Sequence, residues 1–353
     1  ETLPTDHPDR VQSMLQAKSG IAAGIGLFIC LIGFKFGGLI QANPATLVTL
    51  ADLKGNYVAA ATLIGLAATA ALAALGVRGA VLLGVGVAAG ATWAAGAIWG
   101  FATLDFSELA QPQKWQVGGL GETAGGMLAG FGQLGSKLLS AETWLAVLAT
   151  GFVLLFMDLF DTVGTLVGVA DRAGLMRQGR LPRAERALAA DAAATVAGAS
   201  LGTSTVTAYI ESATGVAAGA RTGLAAVVAG LLMLAAMFAQ PVVHILAAGV
   251  PWQGGFYYPM IAPALIYVGA LMIQTMRAVD WDDLTEALPA FLAMVTIPFG
   301  YSISAGIAIG FVSFAFIKTV TGRWKECPVV VYVFAVLFAM EYAWAKVFLV
   351  SGS

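Results

Sequence analysis

The chain has 353 residues, of which 59% are hydrophobic and only 11% charged, with 43 glycines and a formal net charge of -2. Soluble domains carry about 25% charged residues, so the composition excludes an ordinary soluble protein and reads as an all-α polytopic membrane protein. The near-neutral balance argues against nucleic acid as a partner, and two isolated cysteines, Cys30 and Cys327, give no signal for a disulfide framework or a metal site.

Residues 1–20 are polar and lack the basic region, apolar region and cleavage site of a signal peptide. A bilayer core takes about 20 apolar residues per helical span. "IAAGIGLFICLIGFKFGGLI", residues 21–40, supplies one, with Lys35 near its end, where the long stem can snorkel to the interface. Residues 57–77 and 79–100 supply two more. "TLDFSELAQPQKWQVGGLGE" is polar enough for a loop or interfacial segment, and glycine-rich 123–140 reads as a weak span or a partly embedded helix. A further apolar stretch, 144–170, is followed by a connection carrying Arg172, Arg177, Arg180, Arg183 and Arg186. The positive-inside rule puts that connection in the cytoplasm.

From Thr222 to Met276 there is no charged residue, enough for two spans interrupted by "QPVVHILAAGVPWQGGFYYP", where His244 reads as an interfacial or packed side chain. A second uncharged stretch, Ala287 to Ile317, is divided by "PFGYS" into two helices. Lys318, Arg323 and Lys325 mark a second basic loop, and 328–350 form a last helix containing Glu341 and Lys346. Both basic loops belong on one side, so an even number of crossings separates them. Six crossings satisfy this if residues 188–221 form two short, broken spans.

Two acidic stretches stand out. In "FMDLFDTVGTLVG", residues 156–168, Asp158 and Asp161 are three positions apart and share a helix face that Gly164 and Thr165 extend by one turn. A carboxylate facing lipid is expensive, so this face must meet protein or a polar cavity. In "GASLGTSTVTAYIESATGVAAGAR", the β-branched, hydroxyl-rich run Thr203 to Tyr209 suits a short extended piece, with Glu211 directly after it. Irregular backbone at membrane depth is tolerated where it is buried in protein or lines a cavity, and broken helices in transporters offer free backbone groups to a ligand. Acids on two separate segments, neither beside a basic partner in sequence, suit hydrogen bonding to a neutral ligand: carboxylates accept from ring N–H or amino groups, and backbone and Thr groups serve carbonyl oxygens. Shelter from water also lets such a carboxylate exchange a proton during a transport cycle. For Asp158 a structural role, capping or bridging to another helix, is the leading reading.

"FMDLFDTVGTLVGVADRAGL" and "GTSTVTAYIESATGVAAGARTGL" closely resemble the signatures of the hypoxanthine/guanine/adenine permease branch, the AzgA-like group, of the xanthine/uracil permease (nucleobase:cation symporter) superfamily. "GIAAGIGLFICLIGFKFGGLIQANPATLV" and "EALPAFLAMVTIPFGYSISAGIAIGF" extend the likeness over essentially the whole chain. The resemblance implies 14 membrane segments in two inverted repeats of seven, forming core and gate domains, with two short strands at broken helices that meet at the substrate site. It implies that Asp161, on the eighth segment, and Glu211, on the tenth after a strand near Thr203 to Ala208, hold a purine base. Thr162, Gly164, Thr165, Thr207, Ser212 and Thr214 complete the implied binding set, and Asp161, Asp158 and Glu211 are the implied proton-coupling residues.

On that pattern, 1–20 are a polar N-terminal stretch, 21–56 the remaining part of the first-repeat core, and 57–140 the first-repeat gate. Residues 141–250 are the second-repeat core with the substrate segments, 251–320 the second-repeat gate, and 321–353 a C-terminal loop and last helix. Family members carry about three helices ahead of "GIGLF", so the chain is expected to lack the first three segments, as a fragment or a truncated protein. The implied activity is secondary transport of hypoxanthine, guanine or adenine by proton symport in the cell membrane, a bacterial inner membrane being expected, with no cofactor and no metal. Lipid is the implied surrounding and a homodimer the implied assembly. Alternatives are a uracil or xanthine permease, an uncoupled facilitator, and a nonfunctional relative. An intramembrane enzyme using the Asp158 and Asp161 pair is disfavoured because no second metal-ligand cluster accompanies it.

Overall fold

The computed structural model describes residues 8–99, 123–139, scattered helical positions within 144–170, 173–176, 181–209, 212–247, 249–252, 254–327, 329 and 331–339. Where a chain has few charges to offer, helices satisfy the backbone internally and suit a bilayer. The helices are α1 (Pro8–Phe36), α2 (Tyr57–Ala74), α3 (Ala80–Trp99), α4 (Gly126–Leu139), α5 (Ala184–Ser200), α6 (Ser212–Ala217), α7 (Gly223–Phe238), α8 (Gln240–Ala247), α9 (Ala262–Met272), α10 (Leu284–Phe299) and α11 (Ile303–Val320). Among the described residues, Ser19–Phe36, Tyr57–Ala74 and Ala80–Ile98 are long and apolar enough to cross a membrane. A fourth span is added if α7 and α8, bent by 91° at their junction, count as one. The chain is a multi-pass membrane protein.

The chain divides into two units, one of 1–27, 119–216 and 272–353, the other of 28–118 and 217–271. In the second, α2 and α3 are joined by a short turn and pack closely through small residues. A methyl group on Gly84 would stand 1.8 Å from the Thr69 hydroxyl oxygen, so only glycine permits this approach. Asn56 caps α2, accepting from the Ala59 N–H at 3.0 Å while its own amide donates to the Gly38 carbonyl at 3.2 Å.

Two antiparallel hairpins complete this unit: β1 (Ile40–Asn43) with β2 (Leu47–Leu50), and β3 (Val250–Trp252) with β4 (Gly255–Tyr257). In the first turn the Asn43 side chain accepts from the Ala45 and Thr46 N–H groups, which fixes the reversal at Asn-Pro. The second turns through Gly254, at φ +81°, and sets Trp252 edge-on against Tyr57, ring centroids 4.7 Å apart.

In the first unit, α10 and α11 form a helical hairpin. Asp283 caps α10 and Ser302 caps α11 through side-chain acceptors. At the end where α10 begins and α11 finishes, five charges interlock. Lys318, fully enclosed, lies 2.6 Å from Glu286 and 2.9 Å from Glu326. Arg323 spans Asp283 at 2.7 Å and Glu326 at 2.8 Å. Asp283 and Glu286 lie at the N-terminus of α10 and Lys318 in the last turn of α11, so each of these three also complements its helix dipole. Burial alone would raise the Asp283 carboxyl, but hydrogen bonds from Arg323 and Thr285 prevail and hold it at about 2. Burial likewise works against the Glu326 carboxylate, and Arg323 and Lys318 together hold it below its ordinary range.

Several sequence expectations change in detail. Helix α1 starts at Pro8, inside the stretch read as a polar lead, because proline suits a first helical turn and the following polar residues carry the helix beyond the apolar window Ser19–Phe36. Residues 203–209 are non-helical as expected, but among the described residues they pair with no strand, and the paired strands there lie at 40–50 and 250–257. The division at "PFGYS" appears between Phe299 and Ile303. Lys35 is exposed in the last turn of α1 and His244 exposed in the last turn of α8. Positions 329 and 331–339 of the expected last helix are helical. Its remainder, with Glu341 and Lys346, lies outside the described residues, as do the expected loop at 103–122 and Arg172, Arg177 and Arg180.

Candidate functional site

Three pieces of the first unit build a polar layer. Within 144–170, Asp158, Thr162 and Thr165 recur at i, i+4 and i+7, one face of a helix. On α5, Asp191, Thr195 and Gly198 recur at the same spacing. The non-helical segment 203–209 supplies the third piece.

Hydrogen bonds join these faces. The Thr162 hydroxyl donates to Asp191 Oδ2 at 2.9 Å, and the Thr165 hydroxyl donates to the Thr162 carbonyl at 3.0 Å. Both threonines are buried. The Thr205 hydroxyl donates to Asp158 Oδ1. Thr195 accepts from the Val206 N–H at 3.3 Å and donates to the Val206 carbonyl at 2.9 Å. Gly198 makes the close approach possible, because a methyl group there would meet Val206 Cγ2 at 2.6 Å and Thr203 Oγ1 at 2.7 Å. The chain enters the segment through Gly202, at φ +81°, a conformation that favours glycine.

The sequence-derived residues fall into three groups. Asp158, Thr162 and Thr165 stand in the layer, where Asp158 accepts from Thr205 of the non-helical segment, not from another helix. Thr207 lies half-buried on the segment that the layer anchors, Ser212 begins α6 and is exposed, and Thr214 lies within α6. Asp161, Gly164 and Glu211 lie outside the described residues. Asp191, Thr195 and Thr205 were missed as site residues. The signal for the first two was present: an acid and a threonine four apart in the otherwise apolar "ALAADAAATVAGAS". Among the described residues no group of three or more His, Cys, Asp or Glu could hold a metal ion.

This arrangement, two helix faces holding a non-helical segment through side-chain hydrogen bonds, satisfies the irregular backbone at Val206 without a sheet. Xan_ur_permease, the Permease family, matches residues 17–309. The chain belongs to this permease family.

Relatives of this family member agree. It is 39% identical over 335 residues to the guanine/hypoxanthine permease PbuG of Bacillus subtilis, covering 94% of this chain and 69% of PbuG. It is 39% identical over 328 residues to the adenine permease AdeQ of Escherichia coli, covering 93% of this chain and 67% of AdeQ. It is 38% identical over 324 residues to the guanine/hypoxanthine permease PbuO of Bacillus subtilis, covering 92% of this chain and 69% of PbuO.

Proposed function

We propose that the chain serves secondary transport of purine nucleobases across the membrane, by alternating access with proton symport. The observation that carries this reading is the match to guanine/hypoxanthine and adenine permeases at 38–39% identity over more than nine-tenths of the chain. Family membership makes the protein a transporter rather than an enzyme.

Guanine, hypoxanthine and adenine share a flat purine ring with N–H donors at its edge. A carboxylate accepts such donors and remains selective because an unmatched buried acceptor is costly. We assign the base to Asp161 and Glu211, with Thr162, Gly164, Thr165, Thr207, Ser212 and Thr214 around it. Support comes from the neighbours of both acids: Thr162, directly after Asp161, is held by Asp191, and the segment that runs up to Glu211 is held by Thr195 and Asp158. Asp161 and Glu211 are the carriers we assign to the coupled proton. Asp158, the third implied coupling residue, acts in this reading as an anchor for Thr205.

The finer architecture in this proposal is 14 segments in two inverted repeats. Residues 57–140 and 251–320 contribute to a gate, 21–56 and 141–250 to a core, and a homodimer is the assembly.

The test is uptake of radiolabelled hypoxanthine, guanine, adenine, xanthine and uracil into cells deficient in purine transport, with membrane insertion measured in parallel. Uptake of the first three, lost when the pH gradient is collapsed, is expected. Inserted protein that moves none of the purines overturns the reading, and purine uptake that survives collapse of the gradient overturns its coupling.

A further inference from the structure

Segment 203–209 runs without helix or paired strand through the first unit. Each of its peptide groups nevertheless needs a partner for its N–H and its C=O. At Val206 one side chain meets both needs. Thr195 accepts from the Val206 N–H at 3.3 Å and donates its hydroxyl proton to the Val206 carbonyl at 2.9 Å, which is the pattern a neighbouring strand residue would offer.

A threonine hydroxyl has a single proton. That of Thr195 goes to Val206 and that of Thr205 to Asp158. The 3.3 Å separation between the Thr195 and Thr205 hydroxyl oxygens is then a packing contact that adds no competing bond. One turn along α5, Gly198 leaves the space that Val206 and Thr203 fill. One turn the other way, Asp191 holds Thr162. A single face of α5 therefore organises both pieces of the candidate site.

We infer that Thr195 is a positioning residue that sets the register of segment 203–209 against α5, and with it the presentation of Thr207 to the substrate. The inference rests on the transport reading for its kinetic consequence. The two hydrogen bonds at Val206 fix where the neighbouring Thr207 sits along α5, so a register lost at Val206 misplaces Thr207. Valine has the shape of threonine without the hydroxyl, and serine keeps the hydroxyl without the methyl. The pair separates the hydrogen bonds from packing.

Two measurements on the full chain test this. In uptake kinetics, normalised to protein in the membrane, Thr195→Val is expected to raise KM for the transported purine about fivefold, the order expected for losing a hydrogen bond. Thr195→Ser is expected to stay within about twofold. A valine variant with the parent KM, or a serine variant as impaired as the valine one, overturns the inference. The second measurement needs no substrate. In a background with Cys30→Ala and Cys327→Ala, Ala208→Cys reports maleimide labelling rate. Thr195→Val is expected to raise that rate about threefold or more, and Thr195→Ser to leave it near the parent value. Equal rates for all three overturn the inference. If the parent chain moves no purine, the transport reading fails on its own, and the labelling rates still decide the role of Thr195.

Discussion

Replacing Lys318 by methionine is the sharpest test of how the α10–α11 hairpin is held. The ammonium group is fully enclosed and lies 2.6 Å from Glu286, itself only 5% exposed, and 2.9 Å from Glu326. Glu326 retains Arg323 as a partner in the variant, so the loss falls on the buried Glu286 carboxylate, from which the Lys318 ammonium is removed. Breaking a buried pair by removing one partner costs about 3–5 kcal/mol. That is a large part of the roughly 5–15 kcal/mol that holds a typical native protein together. At about 2–4 °C per kcal/mol, the midpoint should fall by roughly 6–20 °C. The assay is thermal unfolding of the purified full chain in detergent, followed by tryptophan fluorescence. The double variant Lys318→Met with Glu286→Gln removes both charges and should recover most of the loss, since replacing a whole buried pair is often near neutral. If Lys318→Met unfolds with the parent chain, or if the double variant is no more stable than the single one, the buried pair does not carry the energy assigned to it.

Other outcomes follow from the same geometry. The Asp283 carboxyl sits at about 2 instead of its ordinary 3.8. A depressed acid stabilises the fold above its unfolded value and loses that contribution as pH falls toward 2. Asp283→Asn should therefore lower the unfolding midpoint at pH 7 and flatten its acid dependence between about pH 4 and 2; an unchanged slope in a pH series of melts counts against it. Gly84→Ala drives a methyl group to 1.8 Å from the Thr69 hydroxyl oxygen and should destabilise the α2–α3 pair by about 1–3 kcal/mol. Gly86→Ala on the same helix meets open space and should be neutral or stabilising by about 0.5–1 kcal/mol; equal melts for the two would contradict the packing argument. For transport, Glu211→Gln should abolish or sharply weaken purine binding, read by equilibrium binding of labelled base. Asp161→Asn should impair uptake or its pH profile, while normal uptake with the parent profile would remove its coupling role.

The candidate site was legible in part. Asp158 and Thr162 were readable because polar residues in an apolar helical stretch must face protein. The non-helical character of 203–209 followed from its threonines and valine. Among the described residues no strand pairs with it, and at Val206 the α5 side chain of Thr195 takes the two bonds a second strand would have taken. Asp191 escaped notice because alanines surround it in sequence, and its partner Thr162 is 29 positions away.

By itself the sequence determined the class of solvent, most of the apolar stretches, the interruption after Phe299 and the acidic stretches where chemistry concentrates. These are properties of composition and local spacing, which need no knowledge of neighbours. Only the tertiary structure decided that Thr205 reaches Asp158 across 47 positions, that Arg323 closes on Asp283 across 40, and that α7 and α8 meet at 91°. Hydrogen bonds and ion pairs form at about 3 Å between groups that packing delivers, and no periodicity in the chain encodes which distant face will arrive.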